Sequence, residues 1–173
     1  LPMKPHVVPR EMNQADIDEV VAAYGTGACN AASAGFDGVE IHGANGYIID
    51  QFLQSKTNRR TDGYGGSAAN RVRLLREIVE AVVPGIGAGR TGLRISPTSL
   101  RKGMGDEDPA LLARLIGRIA QDHGLAYIHL IEPIAPGFME PPERPVLDDL
   151  KREYSGAIIL NGSFDRDAAN ASI

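Results

Sequence analysis

Three residues within a short stretch, His42, Asn45 and Tyr47, bring together the groups needed to activate an oxygen and deliver a proton. An imidazole and a carboxamide can both donate to one oxygen. Two donors on one oxygen polarise a carbonyl and stabilise the negative charge that develops there. A phenol beside them is a weak acid suited to proton delivery in a dry site. The set suits addition to a carbon–carbon double bond conjugated to that carbonyl. The alternative is a polar loop held by its own turn hydrogen bonds, with the tyrosine packed at its rim.

Two further features could hold a ligand. Arg94 stands within the otherwise apolar run Gly92-Leu93-Arg94-Ile95-Ser96-Pro97. A buried guanidinium needs a carboxylate or an acceptor-rich ligand. It contacts either an electron-rich ring or anion, or a carboxylate on a neighbouring strand such as Glu40. Asn161-Gly162-Ser163, ahead of a helix start, can offer backbone N–H groups to a phosphate. An ordinary strand-to-helix turn favours the same residues.

The elements that must position these groups follow from spacing. Residues 1–12 carry Pro2, Pro5 and Pro9 and read as an irregular lead-in. Asn13 and Asp16 form a capping pair ahead of a helix with Ile17, Val20, Val21, Tyr24, Ala28 and Ala31 on one face. Gly35 ends that helix. A short strand is expected over 37–41, then a polar loop from His42 to Gly66. Ser67 caps a helix whose face is Leu74, Leu75, Ile78, Val79, Val82 and Val83, broken from Pro84 to Gly89. A second strand occupies 92–97. Asp108 and Pro109 open a helix with Leu111, Leu112, Leu115, Ile116 and Ile119, closed at Gly124. A third strand covers 126–131, a proline-rich loop runs from Pro133 to Pro145, and a short helix spans about 146–154. A fourth strand at 157–160 leads to a helix start at Asp165.

Alternating strands and helices imply parallel strands joined by crossover helices, an α/β fold. The strands are short and rich in Ile, Leu and Val, so both of their faces are expected to be covered. An open doubly wound sheet and a (β/α)8 TIM barrel both fit, and in each ligands gather where strands end. A barrel needs about 250 residues, so 173 residues supply about half of one. No Gly-x-Gly-x-x-Gly joins a strand to a helix, which removes the usual dinucleotide fingerprint. A flavodoxin-like open sheet remains on pattern alone, although no phosphate loop follows the first strand.

Bulk properties exclude other classes. A net charge of -4 offers no basic field for nucleic acid or an anionic membrane surface. No apolar run approaches the roughly 18 residues of a membrane span. One cysteine, Cys29, cannot form an internal disulfide and fits a reducing, cytoplasmic location. Its neighbours Ala28, Ala31 and Ala32 mark it as a small buried helix residue. The chain begins Leu1-Pro2-Met3 and ends Ala171-Ser172-Ile173 as a helix starts, so a fragment of a longer protein is expected.

Gly35-Phe36-Asp37-Gly38-Val39-Glu40-Ile41-His42-Gly43-Ala44-Asn45-Gly46-Tyr47 closely resembles the hallmark segment of Old Yellow Enzyme-type ene-reductases. The likeness continues through Asp50-Gln51-Phe52-Leu53, the run Thr57 to Ser67, Asn70-Arg71, Leu93 to Pro97, Tyr127-Ile128-His129 and Asn161-Gly162. The resemblance implies a (β/α)8 TIM barrel with FMN at the C-terminal ends of its strands and NAD(P)H as reductant. It implies that His42 and Asn45 hold the oxygen of an enone or nitro substrate and that Tyr47 protonates the α-carbon. Arg94 would contact the flavin ring, and Gly162 and Ser163 the FMN phosphate. The arginines and Asp62 between Asn58 and Asn70 would form an ion-paired scaffold. By the same comparison the chain holds strands four to seven, about four βα units. The family's earlier strands, which bring a threonine and a glutamine to the flavin, and its last strand, with a Gly-Arg phosphate site, have no counterpart. A truncated half barrel without FMN is the alternative, and its open sheet edges invite self-association.

Overall fold

The computed structural model describes residues 8–132 and 141–171. Its centre is a four-stranded parallel sheet in the order β1 (Val39–Gly43), β2 (Thr91–Ile95), β3 (Tyr127–Ile131) and β4 (Ala157–Asn161). Parallel strands need crossovers, and helices supply them. Helix α1 (Gln14–Ser33) precedes β1. Helices α2 (Ile48–Leu53), α3 (Ala68–Arg71) and α4 (Arg73–Ile86) lie between β1 and β2. Helix α5 (Pro109–Asp122) joins β2 to β3, α6 (Leu147–Glu153) lies between β3 and β4, and α7 (Arg166–Ala171) follows β4. This is the α/β strand–helix alternation of about half a (β/α)8 barrel.

The helices cover one face of the sheet. Strand residues alternate in direction, and Ile41, Leu93, Ile95, Ile128 and Leu130 point into the core. They meet Leu74, Leu75, Ile78, Val79 and Val82 of α4 and Leu112, Ile116 and Ile119 of α5. Each such side chain contributes about 1.5–3 kcal/mol when fully buried. The expectation that both strand faces are covered is therefore corrected. The other face carries Glu40, His42, Arg94, Tyr127, His129 and Ile159, none of them fully buried. The register aligns His42, Arg94, His129 and Ile159 in one row across the four strands.

Helix ends follow the expected chemistry. The Asn13 carboxamide accepts from the Asp16 N–H and the Asp16 carboxylate accepts from the Asn13 N–H, a complete capping box. Gly35 (φ 86) and Phe36 return N–H groups to Ala32 and Ala31, which closes α1. Asp108 caps α5 through the Leu111 N–H, with Pro109 in the first turn.

Three further expectations change. The loop from His42 to Gly66 contains α2, whose apolar pairs Ile48-Ile49 and Phe52-Leu53 are too short a run to display a helical period. Helix α4 does not break at Pro84. The ring sits in the last turn, and the helix runs to Ile86 before Gly87 (φ 97) ends it. Cys29 is exposed, because the register of α1 turns Ala28 inward and Cys29 outward. Of the loop expected from Pro133 to Pro145, residues 133–140 lie outside the described residues, as do residues 1–7 of the lead-in.

The segment after α2 is held by polar anchors. The Arg71 guanidinium donates to Leu53 O at 2.8 Å, Gly66 O at 2.6 Å and the Asp106 carboxylate at 2.7 Å. Asp106 also accepts from the Ser55 and Asp108 N–H groups. Arg60 pairs with Asp62 and reaches Met12 O, tying this segment to the start of α1. Of the scaffold expected between Asn58 and Asn70, the Arg60–Asp62 pair forms, and Arg59 makes no ion pair among the described residues.

Candidate functional site

The site is built where β1 ends. After Gly43 the chain turns through Asn45 (φ 60) and Gly46 (φ 75), and Tyr47 begins α2. Two consecutive left-handed residues are costly outside glycine and asparagine, so the turn needs anchoring. The Asp50 carboxylate, 1% exposed, provides it. It accepts from the Gly46 N–H at 2.8 Å, from Gln54 Nε2 at 2.8 Å and from the Ser96 hydroxyl at 3.1 Å. The same hydroxyl accepts the Asn45 N–H at 2.9 Å. Burial pushes the Asp50 carboxyl up, against the three hydrogen bonds that favour its charged form. Ser96, at the end of β2, thereby locks the β1 turn to the next strand.

His42, Tyr47 and Arg94 gather around this turn. The His42 and Tyr47 rings lie 5.4 Å apart, tilted by 52°. Burial lowers the His42 imidazole below its ordinary value, and the positive charges of Arg94 and Lys102 add to it. Glu40 and Asp50 oppose that shift. A neutral imidazole remains a donor through one nitrogen. Neither the His42 ring nor the Asn45 carboxamide bonds to another described residue, so both are available to a ligand oxygen.

Arg94 shows the strongest sign of an unfilled contact. Its Nε is buried and has no hydrogen-bond partner among the described residues. The ion pair considered with Glu40 does not form. Glu40 instead meets His129 Nδ1 at 3.1 Å and hydrogen-bonds the Tyr127 phenol, whose pKa is raised first by burial and then by that bond. Gly92 makes this possible: a Cβ there would fall 2.2 Å from the Tyr127 ring. A buried donor left unpaired costs about 1–3 kcal/mol, and an acceptor-rich planar ring on this open face would satisfy it. The donor set thus fits a flavin.

Gly162 (φ 151) and Ser163 (φ 58) form the turn after β4, at the same end of the sheet but two strands beyond Arg94. Among the described residues no hydrogen bond or ion pair ties them to the His42–Tyr47 group. An apolar cavity of about 480 Å³ opens elsewhere, between α1 and β1, lined by Val20, Tyr24, Ala28, Val39 and Ile48. Its lining is apolar apart from Glu40 and the Tyr24 phenol, and His42, Asn45 and Tyr47 are not part of it.

Three neighbours of the turn have no signature in the sequence. Asp50 stands in the motif with nothing to mark it as an anchor. Ser96 lies in the run of the second strand. Lys102 has no local signal. Its Nζ stands 3.9 Å from the centre of the Tyr47 ring, a juxtaposition across 55 residues that no local spacing reveals.

Comparisons with known proteins agree with this geometry. The model of the NADH:flavin oxidoreductase / NADH oxidase family matches residues 3–173. The chain is 41% identical over 170 residues to the "Probable flavin mononucleotide-dependent alkene reductase" of Leishmania infantum, covering 98% of this chain and 46% of that one. It superposes on the Old Yellow Enzyme homologue from Zymomonas mobilis with a TM-score of 0.91 at 34% identity, covering 98% of this chain and 48% of that one. Morphinone reductase in complex with tetrahydroNAD gives a TM-score of 0.87 at 35% identity, with 97% and 45% covered. The chain spans about half the length of the curated relatives it matches.

Proposed function

The chain belongs to the NADH:flavin oxidoreductase / NADH oxidase family, and on that premise we propose that it carries the substrate-activating side of an ene-reductase site. The reaction is reduction of the C=C bond of an α,β-unsaturated carbonyl or nitro compound, with NAD(P)H as the ultimate reductant. The observation that carries this reading is the buried, unpartnered Arg94 Nε beside the His42–Tyr47 pair.

The roles follow from chemistry. His42 and Asn45 donate to the substrate oxygen and draw charge onto it. Tyr47 gives its phenolic proton to the carbon next to the activated group, leaving a phenolate. Arg94 would hold the flavin ring, and the backbone N–H groups of Gly162 and Ser163 would hold the FMN phosphate. FMN, when bound, would supply the hydride chemistry. Asp50 and Ser96 keep the turn that aims Asn45 and Tyr47.

Replacing Tyr47 with Phe in the FMN-loaded protein tests this. Loss of a general acid costs typically about 10²–10⁴-fold, so cyclohexenone turnover should fall by that order while the protein stays yellow. Turnover at the native rate would remove Tyr47 as the donor. A protein that stays colourless with added FMN would favour the alternative, a truncated barrel that keeps the motif without the cofactor.

A further inference from the structure

We propose that Lys102 is a positioning residue for proton delivery: its ammonium holds the Tyr47 phenol in place and stabilises the phenolate left when the proton departs. The inference rests on Tyr47 being the proton donor.

The geometry is specific. Lys102 Nζ sits 3.9 Å from the Tyr47 ring centre, well inside the distance at which a cation is held by an aromatic face. The backbone is bent to put it there. Lys102 adopts φ 55, between Leu100 and Gly103 (φ 77), and the turn is closed by the Met104 N–H on Arg101 O. A non-glycine residue in the left-handed region is uncommon and needs surrounding support. Met104, 3% exposed, anchors the downstream side.

The opposite wall is cut to match. A Cβ on Gly46 would lie 3.1 Å from Lys102 Cδ and 3.2 Å from Lys102 Cβ. Gly46 therefore serves twice: it allows the left-handed turn and it makes room for the lysine stem. The His42 ring flanks Tyr47 from a second side, 5.4 Å away, and leaves the phenol 54% exposed to an incoming ligand. Among the described residues Lys102 forms no ion pair, so its charge is not spent on a carboxylate.

The chemical consequence follows from charge. When Tyr47 acts, its O–H bond breaks, a C–H bond forms on the substrate carbon, and the O–H electron pair stays on the phenolate. A cation attracts a phenolate more than a neutral phenol. The contact therefore strengthens as the proton leaves, and only interactions that strengthen towards the transition state raise the rate.

The test uses the FMN-loaded protein. Lys102→Met keeps the stem and removes the charge; Lys102→Arg keeps a cation over the ring. Lys102→Met should slow enone-driven flavin reoxidation by about three- to thirtyfold, the rate equivalent of a cation–π contact, with KM for the enone unchanged. Lys102→Arg should restore most of the rate. In a Tyr47→Phe background, Lys102→Met should cost nothing further. An independent readout is NMR of the Lys102 ε-methylene protons, expected upfield from ring current and to lose that shift in Tyr47→Leu. Native-rate Lys102→Met beside a slow Tyr47→Phe overturns the role of Lys102 alone. So does an equal loss in the Tyr47→Phe background, or an unshifted ε-methylene signal. A native-rate Tyr47→Phe protein overturns the proton-donor reading and this inference with it.

Discussion

Replacing Asp50 with Ala should both unfold the site and weaken the whole domain. The carboxylate accepts from the Gly46 N–H, Gln54 Nε2 and the Ser96 hydroxyl, and it is 1% exposed. The hydroxyl can turn to another acceptor, but the amide of Gly46 and one N–H of Gln54 cannot. Each orphaned buried donor costs about 1–3 kcal/mol, and relief of the desolvated carboxylate offsets part of that. The net loss is about 2–4 kcal/mol, read as a lower urea midpoint at constant slope. Because the Asn45-Gly46 turn loses its anchor, affinity for phenolic ligands of the FMN-loaded protein should fall as well. A stability change under about 0.5 kcal/mol, the scale of an ordinary surface substitution, would refute the anchoring argument. Asp50→Asn gives the pH arm. Burial raises the Asp50 carboxyl, so the folded state holds this proton more tightly than the unfolded chain. That contribution is fully present below the unfolded value of about 4 and is lost as pH rises through the raised folded value. The native protein should therefore lose stability relative to Asp50→Asn across that interval. A flat or opposite trend would show that the carboxylate is not desolvated.

Arg71→Met should destabilise the protein by about 3–5 kcal/mol, because it leaves the Asp106 side chain, 0% exposed, as an unpaired buried charge; urea unfolding reads this, and a loss below about 1 kcal/mol would contradict it. His42 should titrate below the ordinary histidine value of about 6.5, since burial, Arg94 and Lys102 all lower it. NMR of its ring protons measures that directly, and a midpoint at or above the ordinary value would refute the neutral-donor assignment.

Much of the fold was legible because its signals are local. The Asn13–Asp16 box, the glycine after α1 and the Asp108-Pro109 start each act within one helical turn. Apolar periodicity in α4 and α5 marked the buried faces. The sidedness of the sheet was not legible, because Val, Ile and Leu dominate the helix-facing positions of the strands. That density hid the alternation of Glu40, His42, Arg94, Tyr127 and His129 on the other face. Within the site, the motif supplied His42, Asn45 and Tyr47 directly. The groups that touch them, Ser96 and Lys102, lie 51 and 55 residues away from Asn45 and Tyr47. They meet only once β1 and β2 are in register.

The division of the sheet into a packed face and an open polar face bears on how such a chain can diversify. The pleat turns the row of His42, Arg94 and His129 away from the side chains that fill the helix-side core. Substitutions in that row should therefore carry little penalty in folding. Substitutions at Ile41, Leu93 or Ile128 put the fold at risk while leaving that row in place. Two kinds of selection act on neighbouring residues of the same strand, and the pleat keeps them nearly independent.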